Sequence, residues 1–145
     1  MSTQGQLPDI RKTIVIDAPV EIEKVWKLVA TSEGLASWWM PNTFRPAVGE
    51  PFVLRLGPYG ESPCTVTELD PPHRGGFRWG RDWHLSFELK ERKDGKTELT
   101  LIHSGWDAEK TTEFGPPHTM VYNILNGGYW SERLSVLRQA AVSGT

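Results

Sequence analysis

The sequence predicts an α+β domain. A curved antiparallel β-sheet wraps around one long C-terminal α-helix, with two short helices after the first strand. Three observations carry this. Between Pro51 and His103 apolar and polar residues alternate, the period of a half-buried strand. From Thr119 to about Ala141 the apolar residues recur instead at spacings of three and four, the period of a helix. The strand-like and helical stretches are segregated rather than interleaved.

Taken in order, Ile10 to Asp17 reads as the first strand, with Ile10, Thr13, Ile14, Val15 and Ile16 supplying β-branched side chains. Asp17-Ala18-Pro19 ends it; Asp17 can cap a following helix, and Pro19 suits a first-turn position. In that helix Ile22, Val25, Trp26 and Val29 share a face. Thr31-Ser32-Glu33-Gly34 breaks it, and Ser32 can cap a second short helix carrying Leu35, Trp38 and Trp39 up to Pro41.

Pro51 to Leu56 places Phe52, Leu54 and Leu56 on one face of a strand. A loop, Gly57 to Gly60, leads to a strand over Cys64 to Leu69, and Asp70-Pro71-Pro72 turns the chain. Gly75-Gly76 serves a turn before a short strand from Phe77 to Trp79. Trp83, Leu85, Phe87 and Leu89 then share one face, and Leu99, Leu101 and His103 share another beyond a hairpin at Lys93-Asp94-Gly95-Lys96. Trp106 to Pro117 is a loop.

The final helix would run for about 34 Å at 1.5 Å per residue. Its stripe is Met120, Ile124, Gly127, Trp130, Leu134, Leu137 and Ala141. Gly127 would permit close approach to the sheet or a bend, at a cost of about 1 kcal/mol relative to alanine. Val121, Tyr122, Leu125 and Tyr129 are apolar but off the stripe, so the N-terminal half should be wrapped on more than one side or border a cavity.

The 145 residues suit one domain, expected over 8–142 with flexible tails at 1–7 and 143–145. A lone cysteine, Cys64, excludes a disulfide within the chain and any thiolate-rich metal site; a buried, inert thiol is its expected fate. A formal charge of −2 argues against a surface built for phosphates, so no nucleic-acid partner is expected. No apolar run is long enough for a membrane span, and the opening MSTQGQLPDI lacks a signal-peptide pattern; a cytoplasmic location is expected.

No metal or other cofactor is expected either. His73, His84, His103 and His118 form no His-x-x-x-His pair, and the prolines beside His73 and His118 place those two on surface loops. Gly75-Gly76 and Gly127-Gly128 lack the Lys-Ser/Thr of a phosphate loop, and neither Cys64 nor Ser104 carries a nucleophile elbow.

Ile16-Asp17-Ala18-Pro19 followed by Val25-Trp26 resembles the opening of START-like (SRPBCC, helix-grip) domains. The segments Ser32 to Trp39, Glu68 to Arg74 with Phe77-Arg78-Trp79, and Phe87-Glu88-Leu89 with Gly95 to Trp106 narrow this, as does Gly128-Tyr129-Trp130 with Leu134 and Leu137. Together they resemble the family of homologues of the activator of the heat-shock-protein-90 ATPase, over about Ile10 to Leu137. The resemblance implies a hydrophobic cavity between sheet and long helix. It also implies functions ranging from binding of lipid-, flavonoid- or polyketide-like molecules to cyclase chemistry. The stretch Phe114-Gly115-Pro116-Pro117-His118 departs from the family, where this region is often helical.

Seven tryptophans, five phenylalanines and three tyrosines supply the walls such a cavity needs. The candidate lining is Phe52, Leu54, Phe77, Trp79, Leu85, Phe87, Tyr122 and Tyr129, with His103 as a polar handle pointing inward. Trp38 and Trp39 join it: neighbours on a helix point about 100° apart, so one can plug the core while the other reaches the pocket rim. The leading expectation is a non-enzymatic binder of a small hydrophobic molecule. Alternatives are a cyclase- or hydrolase-type enzyme with His103 as acid or base, and a protein-interaction module anchored by Trp106 and Phe114, engaging a protein partner or a second copy of the chain.

Overall fold

The structure, a computed structural model, describes residues 5–16 and 20–143. Asp17 and Pro19, the expected cap and first-turn residue, lie outside the described residues, as do tail residues 1–4 and 144–145. Strands β1 (Ile10–Ile16), β2 (Pro51–Arg55), β3 (Glu61–Asp70), β4 (Arg74–Trp79), β5 (Trp83–Glu91) and β6 (Thr97–Ser104) pair antiparallel into one six-stranded sheet, ordered β1-β6-β5-β4-β3-β2. Helices α1 (Ile22–Val29) and α2 (Ser32–Trp38) follow β1, and a long C-terminal helical stretch packs against the curved sheet. That stretch comprises α3 (His118–Ile124), a π-helical turn (Leu125–Tyr129) and α4 (Trp130–Ser143). This is the helix-grip arrangement.

Strand parity holds where the core is densest. Thr97, Leu99, Leu101 and His103 of β6 are buried, and so are Trp83, Leu85, Phe87 and Leu89 of β5. The two strands are in register through Leu85↔His103, Phe87↔Leu101 and Leu89↔Leu99. From the helical side Val25, Leu35, Trp38, Trp130, Leu134, Leu137 and Ala141 close the core.

Several local expectations are corrected. Thr31, not Ser32, caps α2: its hydroxyl accepts the Gly34 N–H at 2.9 Å, while Ser32 is already helical and donates to the Asn42 carbonyl. Gly75 and Gly76 lie within β4 rather than in a turn. The Trp26 ring packs over Gly75, where an added Cβ would sit 3.0 Å from it and the ring would have to give by a few tenths of an ångström. Residues 5–7, expected in a loose tail, are held: Gln6 bridges to Asp107, and the Leu7 N–H donates to the Trp106 carbonyl at 3.0 Å. At the end of β6, Gly105 adopts φ +93°, and any side chain there would collide with the Asp82 carbonyl.

The long helix is not continuous. Gly128 departs from helical geometry (φ 175°, ψ −25°) within the π turn. Two glycines in succession offer no side chain to hold the helix straight, and a π turn inserts about one residue, rotating the following face by roughly 100°. The predicted stripe is therefore correct only beyond the turn. Trp130, Leu134, Leu137 and Ala141 are each 0 % exposed, whereas Met120 and Ile124 are 54 % and 58 % exposed. Before the turn, the inward positions are His118, Val121, Tyr122 and Leu125.

Candidate functional site

The phase shift leaves a void. A cavity of about 660 Å³ lies between the sheet and the first half of the C-terminal helical stretch. Trp79 and Trp83, register partners across β4 and β5, form its inner wall, with Trp39 and Met40 from the end of α2. Val121, Ile124, Leu125 and Tyr129 form the helical wall. Arg55, Leu56 and Tyr59 and the loop residues Thr112, Phe114 and Pro116 complete the mouth. The volume falls in the range usual for small-molecule sites, roughly 300–1,000 Å³.

The α2 tryptophans divide as their 100° separation requires. Trp38 is 1 % exposed, plugs the core edge-on to Phe87 and donates to the Leu28 carbonyl at 2.7 Å. Trp39 borders the cavity, packs against Trp79 and Trp130, and donates to the Tyr129 hydroxyl at 3.0 Å. Burial pushes the Tyr129 hydroxyl above its ordinary range, so it stays a neutral phenol.

Of the eleven residues proposed for ligand contact, Trp39, Trp79 and Tyr129 border this cavity. Phe52, Leu54, Phe77, Leu85 and Phe87 are buried in filled core, and Trp38 stands beside them. Tyr122 packs edge-on to Trp106 and donates to the Pro8 carbonyl at 3.0 Å, tying down the N-terminal segment. His103 lies behind Trp79, its ring stacked on that indole with centroids 5.1 Å apart.

His103 is wholly buried, and desolvation pushes its pKa down from 6.5 to about 3, with smaller contributions from His118 and His84. The Trp130 N–H donates to its Nδ1 at 3.1 Å. Nδ1 is thus an acceptor, and the neutral ring carries its proton on Nε2. Such a ring is a donor, not a general base near neutral pH.

Two further residues differ from expectation. His118, placed on a surface loop by its neighbouring prolines, is 1 % exposed. The loop folds inward there, so that the Asp107 N–H donates to His118 Nδ1 at 3.1 Å and the Asp82 carboxylate lies 3.5 Å from Nε2. Burial alone would raise the Asp82 carboxyl, but Lys110 and Arg81 beside it hold it below its ordinary range. Trp106, named as an exposed anchor, is 1 % exposed; its N–H donates to the His103 carbonyl and its ring lies against Trp83, His103 and His118. It cannot meet a partner protein. Phe114 does reach the surface, near Tyr59 at the cavity mouth.

Cys64 is buried, and desolvation pushes its thiol up to about 12. Three pH units leave roughly a thousandth of the usual thiolate. Reaction of the folded chain with 5,5′-dithiobis(2-nitrobenzoic acid) at pH 8 should be at least about a hundredfold slower than that of the urea-unfolded chain. Equal rates would mean that Cys64 is reached without unfolding. Among the described residues no cluster of histidine, cysteine, aspartate and glutamate is placed to hold a metal ion. No helix among them is long and apolar enough to cross a membrane.

The model of the family Activator of Hsp90 ATPase homolog 1-like protein matches residues 19–140, nearly all of the domain just described. The chain belongs to this family. Among solved structures, the Activator of Hsp90 ATPase homolog 1-like chain is similar to the Bacillus halodurans protein BH1534, with 37 % identity over 94 % of this chain and 99 % of that one and a TM-score of 0.80. It shares its fold with the Aha1 dimer of Colwellia psychrerythraea, at 23 % identity over 96 % and 99 % of the two chains and a TM-score of 0.71. It also shares it with an HSP90 activator of Plasmodium falciparum, at 20 % identity over 88 % and 91 % and a TM-score of 0.63. Among curated proteins, none matches. Membership in the Activator of Hsp90 ATPase homolog 1-like family accounts for the sheet and the C-terminal helix; the cavity's chemistry has to be read from its own residues.

Proposed function

We propose that this domain binds a small, largely apolar molecule, lipid-like or aromatic, in the cavity between the sheet and the π-interrupted helix. The observation that carries this is a void of about 660 Å³ walled by Trp39, Trp79, Trp83, Leu125 and Tyr129. An apolar concavity of that size, open at its mouth, exposes aromatic and aliphatic surface to water. Covering it with a hydrophobic ligand removes that surface from water. A single inert thiol fits a reducing, cytoplasmic setting for such a binder.

Intrinsic tryptophan fluorescence reads the wall directly. Titration with fatty acids, flavonoids and polyketide-like aromatics, corrected for inner-filter absorption, should give saturable quenching at one equivalent with at least one class. A flat response to all of them would overturn the reading. Val121→Trp places an indole in the void from a partly exposed helical position. By calorimetry it should weaken the responding ligand at least about tenfold, or about 1.4 kcal/mol. The accompanying cost in stability should stay within the 1–3 kcal/mol or so of overpacking. Unchanged affinity would place the ligand elsewhere.

A second reading rests on the rim. Tyr59, Met120 and Ile124 are 68 %, 54 % and 58 % exposed around the mouth, so a protein surface could cover it. A second copy of the chain, or a chaperone of the kind that the Plasmodium relative activates, would be such a partner. Sedimentation equilibrium with Ile124→Glu separates the self-association case: a dimer lost in the variant supports it, and a monomer at every wild-type concentration removes it. An enzyme built on His103 as base has the least support, since that ring is neutral, buried and committed at Nδ1.

A further inference from the structure

The polar groups at the cavity are unbalanced. No aspartate or glutamate lines it. The Tyr129 hydroxyl already accepts the Trp39 N–H, and the Thr112 hydroxyl donates to the Pro116 carbonyl. Donors are in surplus: Trp79 Nε1, Trp83 Nε1 and His103 Nε2 are buried without a hydrogen-bond partner. The residues that carry them are 6 %, 8 % and 0 % exposed. They form one cluster, with ring centroids 5.0 Å apart for Trp79–Trp83, 5.1 Å for Trp79–His103 and 5.2 Å for Trp83–His103. Because Trp130 occupies Nδ1 of His103, all three nitrogens are N–H donors.

Buried donors are nearly always paired in folded proteins, and each one left alone carries the penalty of lost hydration. An isolated case could be a packing compromise. Two indoles that wall a cavity, backed by an imidazole whose tautomer is fixed as a donor, are a different matter. Both indoles belong to the cavity wall; because their N–H groups are themselves buried, the subsite requires the rings to turn when a ligand binds.

We propose that Trp79 and Trp83, backed by His103, form a hydrogen-bond-donating subsite for an acceptor oxygen (a ketone, quinone or carboxylate) on an otherwise apolar, ring-bearing ligand. This rests on the binding reading above and adds the polarity of the ligand's functional group. A ligand whose polar groups only donate finds no acceptor on either indole. His103 stays a neutral ring behind them and takes no proton.

A matched pair tests it: fluorene and 9-fluorenone share a ring skeleton and differ by one carbonyl oxygen. Both are titrated into the full chain by displacement of the neutral fluorescent probe N-phenyl-1-naphthylamine. The comparison is repeated in Trp79→Phe and Trp83→Phe, which keep an aromatic ring and remove the N–H. The advantage of ketone over hydrocarbon should fall about tenfold in at least one variant, the size expected for a buried hydrogen bond. Fluorene affinity in the same variant reports whether the cavity survives. An undiminished ketone advantage in both variants overturns the donor subsite and leaves the binding reading intact. Failure of the wild-type chain to bind either compound overturns this inference, while the binding reading stands or falls with the wider titration above. The wild-type chain also gives an arm that needs no variant. The carbonyl stretch of bound 9-fluorenone should lie below its value in hexane, and a hexane-like frequency overturns the proposal.

Discussion

Replacing Trp130 by alanine is expected to destabilise the domain by about 3–5 kcal/mol, the range for removing a large buried aromatic. The indole is 0 % exposed and lies against Trp39, Tyr129 and His103. Its N–H also satisfies His103 Nδ1. Alanine leaves both a void and a buried acceptor without a donor, and the second defect adds about 1–3 kcal/mol where no water replaces the indole. Small domains have only about 5–15 kcal/mol in total, so the variant should be largely unfolded at moderate temperature. Trp130→Phe separates the two contributions, since it keeps most of the ring volume and loses the donor. Urea denaturation should rank the chains wild type, Trp130→Phe, Trp130→Ala, with the larger step at alanine. A loss below about 1.5 kcal/mol for alanine would mean that α4 is not anchored to the sheet through this side chain.

The sheet was legible because its signal is local. Alternation in β5 and β6 places Leu85, Phe87, Leu99, Leu101 and His103 inward, and the Asp94-Gly95 turn, with Gly95 at φ +84°, joins the two strands as its dipeptide announces. The helix was legible in type but not in phase. A stripe from Met120 to Ala141 is unbroken on paper, and nothing in its spacing marks the π turn at Leu125–Tyr129 that rotates its first half out of the core. His118 was misplaced for a different reason. Proline neighbours are a local cue, whereas its burial depends on Asp82 and on the backbone of Asp107, both brought there by the fold.

The cavity was the least legible feature, and the reason is physical. Strand parity tells which side chains face inward; it does not tell where inward-facing side chains fail to meet. Phe77 and Phe87 face inward into filled space, each 1 % exposed. Trp79 is the next inward position along β4 and faces the cavity, whose other wall is Val121, Ile124, Leu125 and Tyr129 around the π turn. Arg55 reaches the mouth from the outward-facing side of β2, and Tyr59, Thr112 and Phe114 reach it from segments with no periodicity at that point. No pattern in the sequence marks them as neighbours.

Acidification should unfold this domain through His103. In the unfolded chain the imidazole titrates near its ordinary 6.5, whereas in the fold it stays neutral down to about 3. Between those values the unfolded state binds the proton and the folded state does not, so stability falls as pH falls through this window and is fully restored above it. The whole window corresponds to about 5 kcal/mol, at roughly 1.4 kcal/mol per unit. Between pH 7 and pH 4 about 3 kcal/mol of it should be lost. Other groups titrate in the same range. Asp82 is held low by Lys110 and Arg81, and His84, half-buried at the Thr67 hydroxyl, is itself pushed down. The comparison that isolates His103 is therefore with His103→Gln, which keeps a neutral donor and acceptor and cannot take the proton. Whatever its stability at pH 7, its urea midpoint should decline less steeply toward pH 4. Parallel curves for the two chains would show that His103 is reached by water in the folded state and does not stand sealed behind Trp79.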